Sequence, residues 1–437
     1  MKKWIPALVL AALVSLPAAA QYVPSEGNLK ARKEFSQKRL GIFLHWGIYS
    51  TYAQGEWYLT TGKLSPEAYA EAAGGFYPAQ FDAAAWARAF KEAGAGYVTL
   101  TSRHHDGFSM FDSAYTDFDI VDATPFKRDV LAELTRAVQA EGMAMQYYYS
   151  LIDWIRPDYP LGNESGVPKD PSKADYNHYF EFEKAQIREL MAHNPRALWF
   201  DGIWDHEDET PPFPWRMEEL YAYIHGINPD CLVGNNHHRA VLEGEDFQMF
   251  EQDVPGENTG GMSENAVISK TLPLETCATM NRVWGYRIWD QNYKSVKQIV
   301  HLLVRAASKG ANLLLNIGPQ ANGALPAPAL ERLKGLGEWM SQYSYTVDGC
   351  GVTVIPEYPW GVSTGNGSSI YLHILQPGRL PSNGSETQLT IPFTQKAKAI
   401  TLNGEKLPWK ASKDGFLTIT LPTPDPEVID TIVTITL

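Results

Sequence analysis

Cysteine is scarce in this chain: Cys231, Cys277 and Cys350 are the only three among 437 residues. Three thiols cannot build a disulfide framework and at least one must stay unpaired, so buried free thiols are expected, with a single bridge as the alternative. Long apolar runs are equally rare. After the stretch Ile5 to Leu16, no segment approaches the ~20 unbroken apolar residues that span a bilayer, and no membrane-embedded helix is expected in the mature protein. Positive charge is in deficit, with 37 Lys and Arg against 50 Asp and Glu for a net charge of -13. That balance argues against nucleic acid and against anionic membranes as partners. Internal repeats and long low-complexity segments are also missing.

What is present begins with a leader. Met1-Lys-Lys-Trp4, the apolar run and then Pro17-Ala-Ala-Ala-Gln21 follow the basic, apolar and small-residue zones of a secretory signal peptide over residues 1–20. No cysteine follows the run where a lipid would attach. An exported protein, periplasmic or secreted and soluble after export, is expected. The remaining ~415 residues exceed what one hydrophobic core usually organises, so two domains are expected. Thirteen Trp and 22 Tyr are suggestive, because flat apolar rings stack on the C–H faces of sugars while their polar tips stay hydrogen-bonded; aromatic residues fill cores as well.

Eight short apolar runs, 41–46, 97–101, 144–149, 197–201, 231–235, 247–251, 274–277 and 312–316, read as strands. Most alternate with helical patterns: Phe81 to Ala93 before Gly94, Asp129 to Ala140 before Gly142, Tyr176 to Ala192, Arg216 to His225, and Ser295 to Ala307. Such alternation predicts an α/β fold, a TIM-like (β/α)8 barrel over residues 21–348. From 349 to 437 the pattern changes to short alternating segments, 369–374, 388–392, 399–403, 416–420 and 431–435, separated by Gly, Pro, Asn and Ser turns. A small antiparallel C-terminal β-sandwich is predicted there.

Polar residues gather at the downstream ends of the barrel runs: His45, His104, His105, Tyr148, Asp201, Asn235, Asn236, Glu251, Glu275 and Asn316. Barrel active sites assemble at that rim. Asp201 follows four apolar residues and precedes Gly202, whose missing side chain is expected to leave room for a ligand. A strand-end carboxylate of this kind can attack an anomeric carbon, and a retaining glycosidase needs a second carboxyl group to protonate the leaving oxygen. Glu251 and Glu275, on the sixth and seventh runs, are the two candidates. The histidines lack the i, i+4 helical spacing of metalloprotease zinc ligands, so no metal is expected; neutral imidazoles hydrogen-bonding sugar hydroxyls fit better. Trp46, Trp57, Trp199 and Trp284 are placed to wall an apolar slot, where a deoxy sugar's methyl group would gain ~1 kcal/mol.

Over essentially the whole mature chain the sequence resembles family 29 of the glycoside hydrolases, the α-L-fucosidases. The resemblance is carried by Phe43-Leu-His-Trp-Gly47, Gly55-Glu-Trp57, Ser102-Arg-His-His-Asp-Gly-Phe108, Tyr148-Tyr-Ser150, Trp199-Phe-Asp-Gly202, Glu275-Thr-Cys277 with Trp284-Gly-Tyr286, and Asn312-Leu-Leu-Leu-Asn-Ile-Gly-Pro319. It implies an exo-acting retaining enzyme with Asp201 as nucleophile, and fucose contacts from His45, Glu56, Trp57, His104, His105 and Tyr148. Trp199 belongs to the same stretch as Asp201, and Trp284 is implied in the wall around the sugar's C6 methyl. The segment Phe247-Gln-Met-Phe-Glu251 resembles the one that carries the acid/base in several members, which favours Glu251 over Glu275. Asn235-Asn-His-His238 departs from the Asn-Asp-Arg of some members and suggests that His237 replaces a sugar-contacting arginine. Such an enzyme needs no cofactor, and its partner is a fucosylated oligosaccharide or glycoconjugate; an oligomer is possible. The alternatives at this point are a hydrolase of α-L-galactosides, a non-catalytic sugar-binding protein, and a metal-dependent hydrolase using His45, His104 and His105.

Overall fold

Asp82, Asp129, Asp175 and Ser295 each accept a hydrogen bond from a backbone amide two or three residues into the helix that follows, at Ala85, Ala132, His178 and Gln298. These caps satisfy amides that a helix start leaves orphaned and fix the points where the chain turns back along a barrel strand. The computed structural model describes residues 22–162, 166–207, 209–263, 267–381 and 384–437; the expected signal peptide lies outside them. Among the described residues no helix is long and apolar enough to cross a membrane.

Eight parallel strands form one sheet: β1 (Leu40–Leu44), β2 (Tyr97–Arg103), β3 (Ala144–Ser150), β4 (Ala197–Asp201), β5 (Leu232–Asn235), β6 (Gln248–Glu251), β7 (Leu274–Thr279) and β8 (Ala311–Ile317), in the order β5-β4-β3-β2-β1-β8-β7-β6. The barrel is almost closed. At the seam between β5 and β6, Asp246 replaces the missing ladder: its amide donates to the Val233 carbonyl and its carboxylate accepts from the Val233 amide at 2.8 Å. That buried carboxylate is neutralised by Arg32 at 2.6 Å. Among the described residues the β5-to-β6 and β6-to-β7 connections carry no helix, which is where the expected strand-helix alternation lapses.

Every second residue points inward. Phe43, Tyr97, Tyr148, Trp199, Met249, Cys277 and Leu314 fill the barrel, and the helix Glu26–Phe35 plugs its lower end with Ala31 and Phe35. All three cysteines are buried free thiols. Trp46, expected in the slot, instead packs outside the barrel against Phe76, Phe81 and Trp86, its indole N–H on the Gln320 carbonyl. The period-two alternation of a strand sends His45 inward and Trp46 outward.

Beyond the helix Ala327–Tyr343, which the sequence reading did not anticipate, come β9 (Gly361–Gly365), β10 (Ser369–Ile374), β11 (Glu386–Pro392), β12 (Ala399–Leu402), β13 (Glu405–Lys406), β14 (Trp409–Ala411), β15 (Phe416–Pro422) and β16 (Thr431–Thr436). They form a five-stranded and a three-stranded antiparallel sheet, and Leu372, Leu389, Ile391, Ile400, Leu417, Ile419, Val433 and Ile435 supply the second core. This unit is anchored to the barrel by Lys297 and His301, which hydrogen-bond the Val428 and Ile429 carbonyls.

Candidate active site

At the downstream end of the barrel the strands open into a cleft with a cavity of about 240 Å³, slightly below the ~300–1,000 Å³ usual for drug-sized ligands and suited to one small ring. Its floor is aromatic: Phe43, Tyr148 and Trp199 pack together, Tyr148 stacking on Trp199 with ring centres 5.3 Å apart. Trp57 and Trp204, themselves stacked at 5.4 Å, form one wall, and Trp284 and Met262 contribute to the rest. His45, His104, His105, Asn236, His238, Asp201 and Glu251 supply the polar lining.

Asp201 is gripped at both oxygens. Tyr148 Oη donates to Oδ2 at 3.0 Å and Trp204 Nε1 donates to Oδ1 at 3.1 Å. Trp204 was not anticipated, because it sits on a turn and not at a strand end. Gly202 at φ +118° lets the chain fold back into a 3₁₀ turn, which returns the third residue after Asp201 onto the carboxylate. The expectation that Gly202 makes room for a ligand is corrected: a Cβ there would lie 2.6 Å from Ile152. The glycine serves the turn and its packing. Burial, then the facing charge of Glu251, pushes the Asp201 carboxyl up to about 7, against the pull of its two donors.

Glu251 ends β6, two strands round the barrel from β4 across the seam between β5 and β6. Its Oε2 accepts from Asn236 Nδ2 at 2.7 Å and lies 3.3 Å from His238 Nε2. Burial opposes charge on His238, but the hydrogen bond and charge of Glu251 outweigh it and raise the imidazole pKa. His237, expected in the cleft, is turned away onto Glu245 at 2.9 Å. The cause is local backbone: His238 adopts a left-handed φ of +57°, which aims the second histidine of the pair at the cleft.

The other two glutamates are not in the wall. β6 and β7 run in register with Glu251 beside Cys277 and Met249 beside Glu275, so Glu275 lies two residues deeper, ~6.6 Å down the barrel. There it accepts hydrogen bonds from Tyr97 Oη at 2.6 Å and Trp199 Nε1 at 2.9 Å, fully buried. The second-choice acid/base is therefore corrected to a support beneath the aromatic floor. Glu56 stands behind Trp57 and accepts from the Gly285 amide at 2.7 Å, joining the Trp57 and Trp284 segments.

Burial pushes Glu275 from an ordinary 4.5 up to about 7. A raised carboxyl stabilises the fold fully below pH 4.5, and that contribution fades as pH rises through about 7. Glu275→Gln, which keeps an acceptor for Trp199 and can donate to the Tyr97 oxygen, should therefore gain on the parent by roughly 2–3 kcal/mol between pH 4.5 and pH 8. Melting temperatures of both proteins across that range test it; a constant difference would mean that Glu275 titrates alike in the folded and unfolded chain.

The histidines are neutral by construction. Burial drives His45 and His105 down to about 3 and, with the two neighbouring imidazoles, holds His104 well below the ordinary imidazole range. Asn316 donates its amide N–H to the Trp284 carbonyl at 2.7 Å, so its oxygen faces His45 Nδ1 at 2.7 Å; that nitrogen must carry the proton, leaving Nε2 as an acceptor. Ser150 Oγ donates to the Ile152 carbonyl and faces His105 Nδ1 at 2.7 Å, which fixes the same tautomer. Both rings thus offer an acceptor to a hydroxyl. Among the described residues, one carboxylate group, Asp112, Asp119 and Asp122, brings ligand oxygens within 4.8 Å of one another; Asp119 is already committed to the Val121 and Asp122 amides.

A family profile described as "Alpha-L-fucosidase" matches residues 9–345. The chain belongs to the α-L-fucosidase family. Within this family it is 30% identical over 371 residues to plasma α-L-fucosidase of Rattus norvegicus, covering 77% of this chain and 75% of the rat enzyme. The fold superposes on α-L-fucosidase isoenzyme 1 from Paenibacillus thiaminolyticus with a TM-score of 0.80 at 31% identity, covering 94% of this chain and 99% of that one. It also matches the Thermotoga maritima α-fucosidase solved with a mechanism-based inhibitor, with a TM-score of 0.75 at 26% identity over 95% of this chain and all of that one. The chain is thus a glycoside hydrolase of the α-L-fucosidase type on a TIM-like barrel.

Proposed function

We propose that Asp201 is the nucleophile and Glu251 the acid/base in removal of a terminal α-L-fucosyl residue. The observation that carries this reading is the pair itself: two largely buried carboxyl groups, on β4 and β6, line one cleft too small for more than a single ring. Asp201 attacks the anomeric carbon while Glu251 gives its proton to the departing oxygen. Water, deprotonated by Glu251, then hydrolyses the covalent fucosyl-enzyme with net retention. Tyr148 and Trp204 orient Asp201, and His45 and His105 present acceptors to sugar hydroxyls. Trp284 and Phe43 offer the sugar's methyl an apolar wall; the extra hydroxyl of an α-L-galactoside would find no partner there, which favours the fucoside.

The signal-like residues 1–20 support export to the periplasm or beyond, where such glycans are met. The purified protein should release nitrophenol from 4-nitrophenyl α-L-fucoside, and proton NMR at early times should show α-L-fucose as the first-formed anomer. Appearance of the β anomer first would replace double displacement by a single inverting step.

A further inference from the structure

Residues 53–57, which follow β1, and 284–289, which follow β7, pair as a short antiparallel ribbon. The Gly55 amide donates to the Tyr286 carbonyl at 3.1 Å and the Ile288 amide to the Ala53 carbonyl at 3.0 Å, with Gln54 bridged to Arg287 between them. The inner end of this ribbon supplies Trp57 and Trp284 to the cleft wall. Its outer end carries Trp289, 61% exposed, next to the exposed Ile288. Single exposed apolar side chains are ordinary on protein surfaces, but this indole is held rigidly in place. The Arg287 guanidinium carbon lies 4.8 Å from its ring centre, Arg287 Nε donates to the Gln54 carbonyl at 2.9 Å, and Trp289 Nε1 reaches Gln54 Oε1 at 3.4 Å. The following residue, Asp290, is buried and accepts from the Arg282 and Asn292 amides at 2.9 and 3.1 Å, pinning the turn.

We propose that Trp289, backed by Arg287, is a stacking platform for a neutral sugar of the leaving group, a subsite outside the fucose cleft. This deepens the fucosidase reading and rests on it. Arg287 lies three positions from Trp284, and Gln54 three from Trp57, so the Arg287 that backs the platform stands roughly 10 Å along the ribbon from the cleft wall at ~3.3 Å per residue, within reach of a glycan and beyond a nitrophenyl group. β7, which leads into the ribbon, is the neighbour of β6, whose Glu251 faces the leaving oxygen; the departing glycan emerges on this side. The ring's C–H-binding face and the adjacent amide and guanidinium donors match a polyhydroxylated, uncharged ring.

The full-length enzyme and its Trp289→Ala and Trp289→Tyr variants should be compared on 4-nitrophenyl α-L-fucoside and on a fucosylated oligosaccharide with three or more sugars beyond the cleaved bond. In Trp289→Ala the ratio of kcat/KM for the oligosaccharide to that for the aryl fucoside should fall about three- to tenfold, mainly through KM, and Trp289→Tyr should restore most of it. An unchanged ratio overturns the platform, as does a molar mass by light scattering that drops in Trp289→Ala, which would assign the indole to a contact between copies of the chain. A parent enzyme inactive on both substrates would instead defeat the fucosidase reading, an outcome separate from either.

Discussion

Replacing Asp201 with glycine is expected to reduce kcat for 4-nitrophenyl α-L-fucoside by at least ~10⁴-fold, the scale on which losing a covalent nucleophile is felt. The fold should survive. The carboxylate lies at the end of β4 with its side chain 14% exposed, and it holds up no packing layer. Its removal leaves the Tyr148 hydroxyl and the Trp204 indole N–H aimed at a vacated, anion-sized space. A small anion such as azide can occupy that space and attack the anomeric carbon from the face Asp201 used. Because only one displacement then occurs, the product should be β-fucosyl azide. Recovery of rate with formation of the β-azide would identify both the residue and the face of attack. A variant retaining more than about one hundredth of parental kcat, or yielding the α-azide, would move the nucleophile elsewhere, since no single-residue deletion of a true nucleophile is so mild.

Asp201 was legible in the sequence for a physical reason. Four apolar residues ending in a carboxylate and a glycine can only be a buried strand reaching a rim, and the strand found there is Ala197–Asp201. Strand existence was similarly plain for the other seven runs, with ends moved by one or two residues. Register was not legible. Glu251 and Glu275 both follow apolar residues near strand ends, and only the pairing of Glu251 with Cys277 shows that one reaches the cleft while the other is a layer below. A tight turn hid two more contributors. The choice between His237 and His238 depends on one left-handed residue, and Trp204 is brought back by a 3₁₀ turn that periodicity does not mark. The available signals were the Gly202 hinge and an indole three residues beyond a carboxylate. The seam at Asp246 also escaped notice, because a polar residue that substitutes for a strand ladder looks, in sequence, like any loop aspartate.

Glu251→Gln should separate the acid from the nucleophile through pH. The reaction needs one proton on the pair, held by Glu251, with Asp201 ionised. Asp201 is pushed up to about 7 by burial and then by the charge of Glu251, so the nucleophile ionises as pH rises through about 7. In the parent enzyme, kcat/KM should decline at alkaline pH, once both groups are ionised and no proton is left to give. Glutamine removes the charge that helps raise Asp201, so the Asp201 titration must shift below its parental value, and no group remains whose deprotonation stops the reaction. With an aryl fucoside, whose nitrophenolate departs with little help, Glu251→Gln should show a single rise with pH to an alkaline plateau. On a natural glycan, where the leaving alkoxide needs a proton, the same variant should lose about 10²- to 10⁴-fold. The two results depend on each other: an alkaline limb that persists unchanged in the variant would mean that another group donates the proton, and the large glycan defect would then need a cause other than lost acid catalysis. If instead the limb vanishes and the glycan defect far exceeds the aryl one, the acid is Glu251.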